Sequence, residues 1–328
     1  MPAEIRFHEL GDLRLESGET LAGARLAYAT YGRLNAARDN AVLVASAYGG
    51  THADGEWLIA PGRALDPARW FTVATNLFGN GVSTSPSHAA PEQHGDGFPL
   101  VSVYDNVFAQ RQLVDALGIA RLALVTGFSM GAIQAYHWAC AFPALVTRIA
   151  PVCGAAKTAH HTIVYLDGME RLMRLPIPDA DMKETVGRCW APWGLSQTFW
   201  REERWAALGA ASRAEAVSAY AAGFAALDRH DMLAMLRTWR AADVGTLARY
   251  GGDWRAALAA VEARALVMPG RSDCYFPPED SAREVAYLRD AELAVIESVF
   301  GHAAGANLDS ADGAFVDRKL AALLAQPV

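Results

Sequence analysis

The sequence predicts an α/β protein: a mostly parallel central sheet with helices on both faces and a helical segment inserted into it. Three observations carry that expectation. Short apolar runs alternate with segments of helix composition over the first half of the 328-residue chain. That pattern needs crossover connections and so implies parallel pairing. The alternation stops near residue 158 and resumes near residue 263. One apolar run, Leu122-Ala123-Leu124-Val125-Thr126, leads directly into Gly127-Phe128-Ser129-Met130-Gly131 and then into residues 132–139, which have helix composition.

Taken in order, the chain up to about residue 35 reads as an opening antiparallel pair, with residues 26–31 as one strand. Residues 40–46 and 70–76 read as a third and a fourth strand. A helix near 103–117 precedes the nucleophile strand, and 148–153 is the strand that follows the next helix. From about 158 to 262 no convincing strand occurs. That segment is rich in Ala, Arg, Leu and Trp, and its helical spacing is clearest over 201–208 and 213–236. Pro176, Pro178 and Pro192 punctuate it. The strand pattern resumes at 265–270, followed by a helix over 279–288 and a strand over 291–296. The expected organisation is a core of residues 1–157 and 263–328, interrupted by a helical lid over 158–262 that covers the carboxyl ends of the strands.

Composition narrows the class. Hydrophobic residues make up 52% and charged residues 20%, which places the chain among globular proteins. A net charge of −7 argues against a nucleic-acid partner. The four cysteines, Cys140, Cys153, Cys189 and Cys274, fit no zinc spacing and read as buried free thiols. The start, Met1-Pro2-Ala3-Glu4-Ile5-Arg6, has no apolar signal region, and no apolar run reaches membrane-spanning length. A soluble, cytoplasmic protein with no membrane partner is the expectation.

The chemistry concentrates at G-x-S-x-G. A serine on a sharp strand-to-helix turn projects its hydroxyl clear of the sheet, and side chains at the flanking glycines would strike neighbouring backbone. An ordinary turn could share the five residues, but strand before and helix after are the context a nucleophile requires. Such a serine needs a base, and the base needs an orienting acid. Candidates follow in the order Ser, Asp, His. Asp273 lies past the strand ending at Gly270, and His302 lies past the strand at 291–296 with Gly301 before it. Three strand ends would then converge on one edge of a parallel sheet. Asp273 could instead cap the helix that begins near Pro277, and Asp280 is a second acid in the same stretch. The oxyanion of an attacked acyl group needs aimed donors. The backbone N–H of Met130 is one. The loop Ala47-Tyr48-Gly49-Gly50-Thr51-His52 after the third strand supplies the other, assigned to Tyr48 N–H.

Two clusters read as structural. His88, His94 and Asp96 fall in a Pro-, Gly- and Ser-rich surface loop and do not suggest a metal site. His160 and His161 are adjacent, so on a helix they point apart, although either could line a pocket. Trp190, Trp193, Trp200, Trp205 and Trp239 read as core of the inserted segment, with pocket wall as the alternative.

The chain resembles the homoserine O-acetyltransferase group of α/β-hydrolases. The residues that carry the likeness are Leu26-Ala27-Tyr28 to Asn35, Pro61-Gly62 with Ala64-Leu65-Asp66, Thr75 to Gly79 with Gly81 to Thr84, and Gly127 to Ala139. Ser272-Asp273 with Phe276-Pro277-Pro278, and Gly301-His302, complete them. The likeness spans about 25–160 and about 225–305. It implies an α/β-hydrolase fold, Ser129, Asp273 and His302 as the triad, and double displacement through an acyl-serine. It also implies that a homodimer is possible.

The departures bear on substrate. Where the group has a His-Ala-Leu-Thr-Gly-like stretch, this chain has Ser46-Ala47-Tyr48-Gly49-Gly50, and Met-Gly-Gly-Met-Gln becomes Met130-Gly131-Ala132-Ile133-Gln134. The group places an arginine in the first lid helix to hold the amino acid's carboxylate. Met169 aligns there, with Arg171 two residues on. Tyr165 and Arg171 are the substrate-contact candidates of that helix. The missing clamp favours a serine hydrolase of a small carboxylic ester. The alternative is acyl transfer from acyl-CoA to an alcohol such as homoserine. A catalytically silent binding protein is a third reading, opposed by the complete triad. Neither enzymatic reading calls for a metal or other cofactor.

Overall fold

The apolar runs pair into one eight-stranded sheet in a computed structural model that describes residues 4–327. β1 (Arg6–Arg14) and β2 (Thr20–Tyr31) form an antiparallel hairpin at one edge. β3 (Ala41–Ala45) is buried at every residue, and β4 (Phe71–Thr75) at all but its first. Helix α1 (Val103–Ala116) begins at Ser102, whose hydroxyl accepts from Asp105 N while the Asp105 carboxylate accepts from Ser102 N. β5 (Leu122–Phe128), α2 (Met130–Ala141) and β6 (Arg148–Val152) follow. Burial on both faces explains why β3, β5 and β6 read as continuous apolar runs without alternation.

Six α-helices then intervene before the next strand: α3 (His160–Met173), α4 (Asp179–Gly194), α5 (Gln197–Arg201), α6 (Arg213–Ala222), α7 (Arg229–Arg240) and α8 (Trp254–Ala259). The helix expected over 213–236 is two helices. Gly223 closes α6, and the Asp228 carboxylate caps α7 by accepting from His230 N and Asp231 N. The chain returns to the sheet through β7 (Arg264–Val267), α9 (Pro278–Val285), β8 (Ala291–Leu293) and α10 (Ser310–Ala325). β8 is shorter than the expected 291–296, and Ile296 keeps a single bridge to Gly270. No helix among the described residues is long and apolar enough to cross a membrane.

The sheet order is β1-β2-β4-β3-β5-β6-β7-β8, with β1, β2 and β4 antiparallel in succession and the remaining pairs parallel. From β3 the chain steps outward to β4, then crosses through α1 to β5 on the other side of β3. That reversal opens a crevice at the carboxyl ends of β3 and β5, where open α/β sheets place their ligands.

Behind β6 lies a buried acid. Glu284 of α9 is 5% exposed. Its Oε1 accepts the Ala156 N–H at 2.8 Å, and Tyr136 of α2 lies beside it. Burial pushes its carboxyl from the ordinary 4.5 up to about 8. The folded protein therefore keeps a proton that the unfolded chain releases. Stability falls as pH rises from about 4.5 to about 8, by at most about 1.4 kcal/mol per pH unit. Glu284→Gln preserves the shape and removes the titration. Thermal melts of the two proteins should converge near pH 5, and the variant should become the more stable as pH approaches 8. A constant difference across that range would refute the assignment.

Candidate active site

The turn after β5 is built on close backbone approach. A Cβ at Gly131 would lie 2.2 Å from the Ala45 carbonyl oxygen, and one at Gly127 would lie 2.6 Å from Gly131. Ser129 between them takes φ +57° and ψ −120°, a strained position for a residue with a side chain. Its N–H donates to Val152 O at 2.9 Å, which ties the turn to β6. Ser129 is 4% exposed.

His302 Nε2 lies 2.9 Å from Ser129 Oγ, and His302 Nδ1 lies 2.7 Å from Asp273 Oδ2. A carboxylate only accepts, so Nδ1 carries the proton toward Asp273 and Nε2 is left to accept from the serine hydroxyl. The other Asp273 oxygen, Oδ1, accepts the Tyr275 N–H at 2.8 Å and the Phe276 N–H at 3.1 Å. The residue thus caps its own turn and holds the imidazole at once. The cap of α9 is Pro277, and Asp280 faces Arg283 rather than His302. Gly301 precedes the histidine with φ +63°. Ser272 couples the two loops, with its hydroxyl donating to Ser298 O and accepting from Gly301 N. Phe128, Tyr275 and Phe276 surround the imidazole with ring centroids 4.5, 5.1 and 5.5 Å away.

Tyr48 and Met130 lie beside this chain because β3 and β5 pair in register, Ala45 against Gly127. Among the described residues no hydrogen bond occupies either backbone N–H. Gln134, fully buried on α2, ties the end of β3 to the start of α2: its Nε2 donates to Ser46 O and to Met130 O, both at 3.0 Å. Gln110 and Trp138 hold the other end of that amide network. Asn80 Nδ2 donates to Gly50 O, and Asn76 Oδ1 accepts the His52 N–H, which fixes the rest of the loop. Gln134 stands at the glutamine of the Met-Gly-Gly-Met-Gln stretch compared above, and its packing shows what it bonds.

A cavity of about 280 Å³ opens over Ser129 and His302. Tyr48, Trp190, Tyr220, Phe224, Trp239 and Tyr275 form much of its wall. The sequence reading put Trp190 and Trp239 in the core, and they belong to core and wall together. Trp200 and Trp205 pack in a separate cluster with Phe199 and Phe300. His161 stacks on Trp193 with centroids 5.0 Å apart.

The two substrate-contact candidates of α3 need correction. Tyr165 stands behind the wall, its ring stacked on Trp193 at 4.3 Å and edge-on to Trp190 at 5.4 Å. Arg171 is exposed and does not line the cavity. Helical phase explains it. Tyr165, Leu166, Met169 and Met173 form the buried face of α3, and a residue two positions from Met169 is turned about 200° away.

The alpha/beta hydrolase fold family matches residues 40–179. An ethyl acetate hydrolase of Pseudomonas veronii is 34% identical over 97% of this chain and 95% of its own. A homoserine O-acetyltransferase of Symbiobacterium thermophilum is 32% identical over 88% of this chain and 87% of its own. Among solved structures, the acetyl esterase MekB superposes with a TM-score of 0.94 at 32% identity, covering 98% of this chain and 97% of that one. The chain belongs to the α/β-hydrolase family, as an esterase-type member of its homoserine O-acetyltransferase-like group. It is an enzyme that acts on esters.

The close approach at the turn makes a direct prediction. Gly131→Ala puts a methyl into the Ala45 carbonyl, and backbone cannot yield as a flexible side chain can. The variant should lose about 2 kcal/mol or more of stability, read as a lowered denaturation midpoint. A midpoint equal to that of the unaltered protein would contradict the geometry.

Proposed function

We propose that the protein hydrolyses a small carboxylic ester with a short acyl group, by way of an acyl-enzyme on Ser129. The observation that carries this reading is the unbroken hydrogen-bond chain Ser129–His302–Asp273 at the floor of a small aromatic cavity. Ser129 Oγ attacks the ester carbonyl while His302 Nε2 takes its proton. The N–H groups of Tyr48 and Met130 receive the oxyanion. Collapse breaks the bond to the alcohol oxygen, which leaves with the proton from His302. Water then repeats the sequence: His302 takes its proton, the acyl–serine bond breaks, and Ser129 recovers its hydrogen. Asp273 holds the imidazole in the tautomer both halves require.

Size and charge support the substrate class. About 280 Å³ is at the small end for ligand pockets. An ethyl acetate hydrolase and an acetyl esterase stand among the relatives, in keeping with a short acyl chain. Among the described residues lining the cavity there is no Arg or Lys to hold an amino acid's carboxylate. Water is therefore the acceptor we favour over homoserine. Residues 158–262 supply Trp190, Tyr220, Phe224 and Trp239 to the wall, the role of a lid.

Ser129→Ala should lower hydrolysis of p-nitrophenyl acetate by about 10³-fold or more while leaving the melting transition in place. Retained turnover would remove Ser129 from the mechanism. Gln134→Ala should lower kcat by about tenfold or more with little change in KM, since it loosens donors that act on the oxyanion and not on the bound ester. A change confined to KM would mean that Gln134 serves binding alone.

A further inference from the structure

We propose that the cavity over Ser129 is an aromatic cage for a cationic alcohol: the preferred substrate is an ester whose alcohol part carries a quaternary or fully substituted ammonium group. The proposal rests on the acyl-serine reading above and adds the chemistry of the leaving group to it.

The wall consists mainly of rings. Tyr48, Trp190, Tyr220, Phe224, Trp239 and Tyr275 border the space, and Leu227 is the one branched aliphatic side chain among the lining residues. A neutral alkyl group gains its burial equally well from leucine or valine. Rings add a negative face, which attracts a cation within about 6 Å of the centroid. In a chamber of about 280 Å³ an occupant lies close to several walls at once.

The wall rings stack on aromatic neighbours, Tyr48 on Trp190, Tyr275 on Trp193 and Trp239 on Phe276, and not on a protein cation. The arginine and lysine contacts with rings found among the described residues involve Phe7, Trp70, Phe142, Tyr250, Trp254, Tyr287, Phe300 and Phe315, none of them in this wall. No Asp, Glu, Lys or Arg lines the cavity among the described residues, so nothing charged competes for a cation or repels it there. The phenols stay neutral: burial raises the Tyr48, Tyr220 and Tyr275 hydroxyls above their ordinary range. The groups that face the cavity and change charge are those of the triad. His302 Nδ1 is paired with Asp273 Oδ2 at 2.7 Å. The protein's net charge of −7 favours approach of a cation over that of an anion.

A pair of isosteric esters isolates the effect. Acetylcholine and 3,3-dimethylbutyl acetate share shape and acyl group and differ in the charge at one quaternary centre. The expected result is a kcat/KM about 3- to 30-fold higher for the ammonium ester, with choline a stronger competitive inhibitor of p-nitrophenyl acetate hydrolysis than 3,3-dimethylbutan-1-ol. Trp190→Leu and Phe224→Leu, each checked for a normal circular dichroism spectrum, should move the ratio toward one. A ratio at or below one in an enzyme that turns over p-nitrophenyl acetate overturns the cage and leaves the hydrolase reading standing. So does absence of turnover of both isosteres, or a ratio that neither variant alters. Loss of turnover of all three esters, or turnover that survives Ser129→Ala, overturns the hydrolase reading and the cage with it.

Discussion

At Ala45, Gly127 and Gly131 two stretches of backbone come so close that no side chain fits between them. Much of the site depends on that contact. It lets the helix after Ser129 start directly against β3, so the loop carrying Tyr48 lies beside the serine. The same contact puts Gln134 within reach of both Ser46 O and Met130 O, so one amide sets the relation between two loops far apart in sequence. The strain at Ser129 persists because the surrounding structure over-determines it. Its N–H is held by β6, its helix is packed in the core, and the flanking glycines leave the turn nowhere else to go.

The opposite side of the site is held by side-chain hydrogen bonds. Asp273 and His302 come from two loops whose backbones are bonded to each other at Pro269–Arg271 and Ile296, short of the two catalytic candidates. Ser272 carries the tie further by bonding both Ser298 O and Gly301 N. Asp273 contributes in two directions, with one oxygen on its own turn and the other on the imidazole. Reading it from sequence as either a local cap or the partner of the histidine posed a false choice. A carboxylate has enough lone pairs for both, and holding its own turn is what aims the second oxygen.

Legibility in the sequence followed the range of the interactions. Strands buried on both faces announce themselves by composition, so β3, β4, β5 and β6 were readable to within a residue or two at each end. Ser129 and Asp273 were readable as candidates because each follows such a strand, and His302 because it follows the short, partly exposed β8 with a glycine before it. Gln134 and Ser272 were not, since a buried amide and a serine mean nothing until their partners are known. The inserted helices were readable as helix but not as faces. Alanine runs through 213–236 concealed the stop at Gly223, and large rings that touch core and cavity alike blur any single apolar stripe. Arg171 shows the cost of reading position without phase: alignment placed it two residues from Met169, and two residues on a helix is the opposite side.

The rings over the triad have a consequence for its electrostatics. Tyr275 and Phe276 are held by the turn that Asp273 caps, and both lie against His302. Phe128 meets the same imidazole from the nucleophile side. The acid, the base and the serine are thus enclosed by side chains whose own positions the acid and the serine turn determine. Rings packed against the imidazole lower the local dielectric, which strengthens each hydrogen bond in the chain. Along the line from Ser129 to Asp273 each charge that develops in proton transfer meets a fixed partner. Packing and proton transfer on this side of the site are therefore one constraint: Tyr275 and Phe276, which pack on the imidazole, are anchored by the acid that holds it.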